Sequence, residues 1–288
     1  MCAHKPSAKL IYRAKILQAM KKYILIILIA IAGIAPFFMF KDRLKPPLGG
    51  KEKLYCSIQL KKCQENLLNY LKLRKDALAA LEIEKILAID PNDLCALWAK
   101  AEVFRRAYKF KESEALLKQV LSQYPGHASS LISLSYIRYH ENKFEAAIRI
   151  LKQVLNQPDL ERENKALAYM LMGSINAKKS STGGLFNKLA YGLRVKGFFE
   201  KAKAIAPDLT EVHLGLGTFY LLAPSVAGGN VDRAIAELKY AVELTPDFAT
   251  ACARLAQAYK KKGSIEKYNF YLQRARELDP KNEALGEL

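Results

Sequence analysis

Four histidines (His4, His127, His140, His213) and five cysteines (Cys2, Cys56, Cys63, Cys95, Cys252) are the side chains best equipped for chemistry in this 288-residue chain. Their spacing supports none. No HExxH or HxH pairs histidines for zinc, no CxxC pairs thiols, and no Ser or Cys stands in a nucleophile frame. Cys56 and Cys63 lie seven apart; on one helix their Cα atoms would be about 10 Å apart, beyond the reach of a disulfide. Gly49-Gly50, Gly183-Gly184 and Gly228-Gly229 fall outside any GxxxxGK[ST] frame, so they suit tight inter-helix turns better than a phosphate loop. Lys260-Lys261-Lys262 and Lys178-Lys179 read as basic last turns of helices, which complement the helix dipole. The expectation is a chain that is not an enzyme, with no catalytic residue, no cofactor and no metal.

The elements around these residues must account for a net charge of +18, which is unevenly placed. Residues 1–53 hold eleven Lys/Arg against Asp42 and Glu52, half of the excess in under a fifth of the chain. That basic end surrounds Tyr23 to Phe40, YILIILIAIAGIAPFFMF, without a charged side chain. As a helix it would be about 27 Å long, close to the hydrocarbon thickness of a bilayer. Lys21, Lys22, Lys41 and Arg43 flank it, placed to snorkel to headgroups. The expectation is a single transmembrane helix over 23–40 behind a basic segment over 1–22, with no nucleic-acid partner. Ala30-Ile31-Ala32 would suit signal peptidase, yet apolar residues run on to Phe40, so an uncleaved signal-anchor is expected. Six basic groups before the span and five after it lean the C-terminal part to the extracytoplasmic side, by one residue.

Pro46-Pro47 and Gly49-Gly50 mark a linker over 41–57. Beyond it the prolines keep a ruler: Pro91 to Pro125 and Pro246 to Pro280 are each 34 residues, and Pro125 to Pro158 is 33. Each closes an apolar helix end, as in LAIDP and RELDP. Between them Leu216-Gly217, Tyr220, Ala234, Leu238 and Ala241 recur in register with Leu255, Ala256, Tyr259, Leu272 and Ala275. This pattern resembles the tetratricopeptide repeat family. The resemblance implies an all-α, right-handed α-solenoid of about six helix-turn-helix units over 58–288, at about 60–93, 94–127, 128–161, 162–209, 210–248 and 249–282. The fourth unit exceeds the ruler by fifteen residues and the fifth by five, each with a Gly-Gly pair between its helices. Such stretched units resemble a subset of the family common in bacteria. A fainter likeness is to the membrane-anchored regulator-of-microtubule-dynamics proteins. The expected setting is a bacterial inner membrane.

In that family, positions 2, 5, 9, 12 and 13 of a unit face the concave groove. Here they include Trp98, Glu102, Arg105 and Arg106 in the second unit, and Ile132, Tyr136, Tyr139 and His140 in the third. Aromatic and Arg side chains are common binding hot spots. The resemblance therefore implies a protein-binding scaffold that grips an unnamed partner at Trp98, Glu102, Arg105, Arg106, Tyr136, Tyr139 and His140. The Lys/Asn pattern of members that clamp a chaperone's terminal carboxylate is absent. The alternative is a small-ligand or transport-accessory module with a pocket at the enlarged fourth and fifth units, near Phe186, Tyr191 and Tyr220.

Overall fold

The computed structural model describes the backbone of residues 50–182 and 185–287, with side chains described over 60–181 and 194–287. The basic segment, the hydrophobic run at 23–40 and the side chains of Phe186 and Tyr191 lie outside the described residues. Among the described helices none is long and apolar enough to cross a membrane.

Twelve α-helices and no strand make up the described chain. They are α1 (Gly50–Lys72), α2 (Asp76–Ile89), α3 (Leu94–Arg106), α4 (Phe110–Gln123), α5 (Ala128–His140) and α6 (Phe144–Leu155). Then follow α7 (Arg162–Thr182), α8 (Leu185–Ile205), α9 (Thr210–Leu222), α10 (Val231–Leu244), α11 (Ala249–Lys262) and α12 (Ile265–Leu278). Short 3-10 turns lie at Ser225–Ala227 and Glu283–Glu287. From α3 onward odd and even helices pair and each pair packs on the next, while α1 and α2 share one buried cluster through Leu67, Leu71, Ala79 and Ile83.

The pairing follows from side-chain size. Ala79, Ala147 and Ala234 are fully buried at one repeat position, and Leu117, Leu151 and Leu238 at another. The alanines let paired helices approach, and the leucines fill the groove between them. At Gly217 a Cβ would stand 2.5 Å from Cγ of Leu238, so α9 and α10 meet where only glycine fits. The fifteen extra residues of the fourth unit lengthen both of its helices to 21 residues. The five of the fifth unit form the turn carrying Ser225–Ala227, where Gly228 is left-handed at φ 93°.

One expectation shifts. Helix α1 starts at Gly50, inside the segment read as a linker over 41–57. Nothing after Gly50 in KEKLYCSIQL breaks a helix, and the breakers Pro46, Pro47 and Gly49 all precede it. His127, in the turn after Pro125-Gly126, caps α5: its Nδ1 accepts from the Ser130 amide at 3.2 Å.

The turn between the first and second helix of a unit also repeats. Arg74, Tyr108 and Asn142 are spaced by 34 and all sit in the left-handed region, at φ 59°, 60° and 58°. Gly263 occupies the same place in the sixth unit at φ 82°. An Arg or Tyr there bears strain of about 1 kcal/mol or more.

Cys63 and Cys252 are buried and Cys95 is half-buried, all with free thiols. Burial pushes the Cys252 thiol up to about 11, and burial together with Asp93 does the same for Cys95. Both are therefore expected to alkylate roughly a hundredfold more slowly at pH 8 than an exposed thiol. Iodoacetamide labelling read by peptide mass spectrometry checks this, and rapid labelling of either in the native state contradicts it.

Candidate functional site

Helix α3 places Trp98, Glu102, Arg105 and Arg106 on one face by the i, i+4 rule, and α5 does the same for Ile132, Tyr136, Tyr139 and His140. These two faces adjoin. Glu102, 8% exposed, is the hub. It accepts from Arg105 Nε at 2.9 Å, from Arg105 Nη2, from Arg106 Nε at 3.1 Å and from Ser133 Oγ at 3.1 Å. Trp98 Nε1 donates to the same Ser133 Oγ at 3.3 Å. Arg106 reaches back to the first unit, donating to the Leu71 carbonyl at 3.0 Å and to Asp76 at 2.6 Å.

Burial alone would raise the Glu102 carboxyl. Arg105, Arg106 and Arg74 outweigh it and hold the group well below the usual carboxylate range. The Arg105 guanidinium, in turn, lies 4.1 Å over the Tyr136 ring. Tyr136 meets His140 at 4.8 Å between ring centroids and Tyr139 at 6.0 Å. Phe110 stacks on His140 at 5.1 Å. Burial pushes the Tyr139 phenol up to about 12. The seven residues singled out by sequence thus form one connected wall, with the ionic half on α3 and the aromatic half on α5. What such a wall offers is stacking faces and buried, orientated guanidiniums, the chemistry of recognition more than of bond-making. Among the described residues no group of three His, Cys, Asp or Glu side chains could hold a metal ion.

Sequence reasoning missed a set of long-range contacts between units. Arg74 Nη2 donates to Glu211 at 2.5 Å and its guanidinium lies 4.0 Å over the Phe248 ring. Tyr108 donates to Asp279 at 3.0 Å, and His140 Nδ1 is 3.4 Å from Glu283. These contacts join units one to three with units five and six and the turn beyond them, across 137 to 171 residues in the first two cases. They make a seam along which the array closes. The only available signal was the 34-residue recurrence of Arg74 and Tyr108 at a turn where Gly263 serves the sixth unit.

Tyr220, named for the alternative pocket, is buried in a cluster with Phe199, Leu216 and Tyr259, packed rather than lining a cavity. A cleft of about 320 Å³ opens nearby instead, lined by Leu221, Leu222, Gln257, Lys260, Lys261 and Glu287. By register, the first five stand at groove positions 12 and 13 of the fifth unit and 9, 12 and 13 of the sixth.

No family model and no curated protein matches the chain. Among solved structures it is similar to TTC0263, a thermophilic tetratricopeptide repeat protein of Thermus thermophilus. That match has 18% identity and a TM-score of 0.54, and covers 67% of this chain and 95% of that one. It is similar also to the human IFIT1 dimer with m7Gppp-AAAA, at 18% identity and a TM-score of 0.56, over 79% of this chain and 52% of that one. A third likeness is to the APC/C hetero-tetramer Cut9-Hcn1, at 14% identity and a TM-score of 0.53, over 76% of this chain and 40% of that one. These likenesses show a fold of the tetratricopeptide repeat type.

Proposed function

We infer that the chain is a membrane-anchored scaffold whose repeat array grips a segment of a partner protein against the wall formed by α3 and α5. The observation that carries this is the ordered state of that wall: Arg105 is fixed between Glu102 and Tyr136 before any ligand arrives. Pre-ordering lowers the entropy that binding must offset. Stacked aromatic and guanidinium groups are the side chains that most often dominate interfaces. The anchor is the uncharged run at 23–40, and the basic excess before it favours the array on the extracytoplasmic side of a bacterial inner membrane.

The test is affinity capture from detergent-solubilised membranes with the wild type and Trp98→Ala/Arg105→Ala. The double variant is expected to lose at least about tenfold of a captured partner, the scale of a hot-spot truncation. An unchanged set of captured proteins contradicts the groove reading. Protease accessibility of the array in intact cells tests its sidedness separately.

A further inference from the structure

The contacts across the seam keep a register. Arg74 and Tyr108, in the turns of the first two units, are 34 residues apart, and they meet Phe248 and Asp279, 31 residues apart at the two ends of the sixth unit. His140, at the end of α5, meets Glu283 in the turn beyond. Three successive units thus touch the far part of the array, each about one step further along. A superhelix wound tightly enough to meet itself leaves such a series, where a stray collision would leave a single contact.

The series runs along the α3–α5 wall. His140 belongs to both, and its side chain is 14% exposed. Arg74 is close enough to Glu102, Arg105 and Arg106 for their charges to bear on it, as does that of Glu211. Arg254, Glu283 and Glu287, from the sixth unit and the turn after it, bear on the Tyr139 phenol, which is half-buried like Tyr136. A partner approaching Tyr139 or His140 has to part the seam first. The seam is built to part: among the described residues no buried apolar cluster joins units one to three with units five and six. The Tyr108–Asp279 bond is exposed, and Glu283 is 68% exposed beside His140. A closure made of a few polar contacts without an apolar core opens at low free-energy cost, far below that of unfolding the units themselves.

We propose that the seam is a gate over the α3–α5 wall: closed, it covers Tyr136, Tyr139 and His140, and open, it admits the partner segment. This rests on the wall being the partner site and adds what regulates access to it. The partner's apparent affinity is lowered by the fraction of molecules whose seam is open, so a change that loosens the seam tightens binding without touching the wall.

Hydroxyl-radical footprinting of the full chain in detergent, read by peptide mass spectrometry, tests the gate without a partner. Tyr108→Phe/Glu211→Gln weakens two seam contacts and leaves every wall residue in place. Oxidation of Tyr136, Tyr139 and His140 is expected to rise about threefold over the wild type. Tyr124, 54% exposed, should not change, and the buried Tyr220 and Tyr259 should stay protected, which separates opening from unfolding. Equal protection of the three wall residues in both chains overturns the gate. If protection is equal while Trp98→Ala/Arg105→Ala loses its captured partner, the gate is refuted and the wall reading stands. If the wall opens while that double variant captures the same proteins as the wild type, the seam is a gate and the partner reading of the wall fails.

Discussion

Glu102→Gln is expected to destabilise the array by about 3 kcal/mol at neutral pH, more than any other single change on the groove wall. The reason is the company the carboxylate keeps. Its side chain is 10% exposed, beside guanidiniums that are 11% and 14% exposed, so the amide would leave Arg105 buried without its counter-charge and Arg106 with Asp76 alone. Breaking one partner out of a buried ionic cluster costs about 3–5 kcal/mol, even where replacing the whole cluster with apolar groups would be neutral. For a domain of this size that corresponds to a fall in Tm of roughly 6–12 °C. The pH dependence has a fixed sign. A carboxyl whose folded pKa is depressed contributes stability above its unfolded pKa of about 4.3 and loses it as pH falls through and below that value. The stability gap between the wild type and Glu102→Gln should therefore be full at pH 7 and shrink as pH falls below about 4.3. Urea midpoints at pH 7, 5 and 3 measure it. A variant as stable as the wild type at pH 7 contradicts the account of the hub.

Arg74→Gly carries the second-largest expected effect, and the opposing terms make it informative. Glycine would relieve the left-handed strain at φ 59°, a gain of about 0.5–1 kcal/mol. It would also delete the bond to Glu211, the stacking on Phe248 and the neutralisation of a carboxylate whose side chain is 24% exposed. Partly buried charge-assisted bonds are worth about 1.5–3 kcal/mol, so the net expectation is a loss of about 1 kcal/mol. Faster amide exchange in α9 and at the start of α11 should accompany it. Asn142→Gly is the control. That position has the same backbone at φ 58° and an exposed side chain, so the substitution should be neutral or slightly stabilising. If Arg74→Gly behaves like Asn142→Gly, the seam does not hold the array closed.

How much of this was legible in the sequence divides along a physical line. The helix pairs could be read because burial imposes local rules: a proline can close each second helix, and a small residue must stand wherever two helices touch. Ala79, Ala147 and Ala234 obey that rule at one repeat position, and Gly217 obeys it most strictly. The residues of the wall were legible for the same reason, since one register puts Trp98, Glu102 and Arg105 on a single face. That they neutralise and stack on one another was not, because a register states direction and not partners. The seam was further out of reach. Arg74 and Glu211 are 137 residues apart, and their meeting depends on the summed rotation of every intervening unit, to which the fifteen- and five-residue insertions contribute. That α11 carries three lysines and an arginine and no acid was visible in the sequence. Only the fold shows that Glu287 answers Arg254 and Asp232 answers Lys262.

The central claim is that a partner segment lies against the α3–α5 wall. The most direct measurement is site-specific photo-crosslinking in intact membranes, with a benzophenone side chain replacing Tyr136 on the wall or Lys118, which is 69% exposed on α4. The account predicts an adduct with another protein from position 136 that is lost in Arg105→Ala, and none from position 118. Adducts from 118 alone, or the same adducts from both, would contradict it.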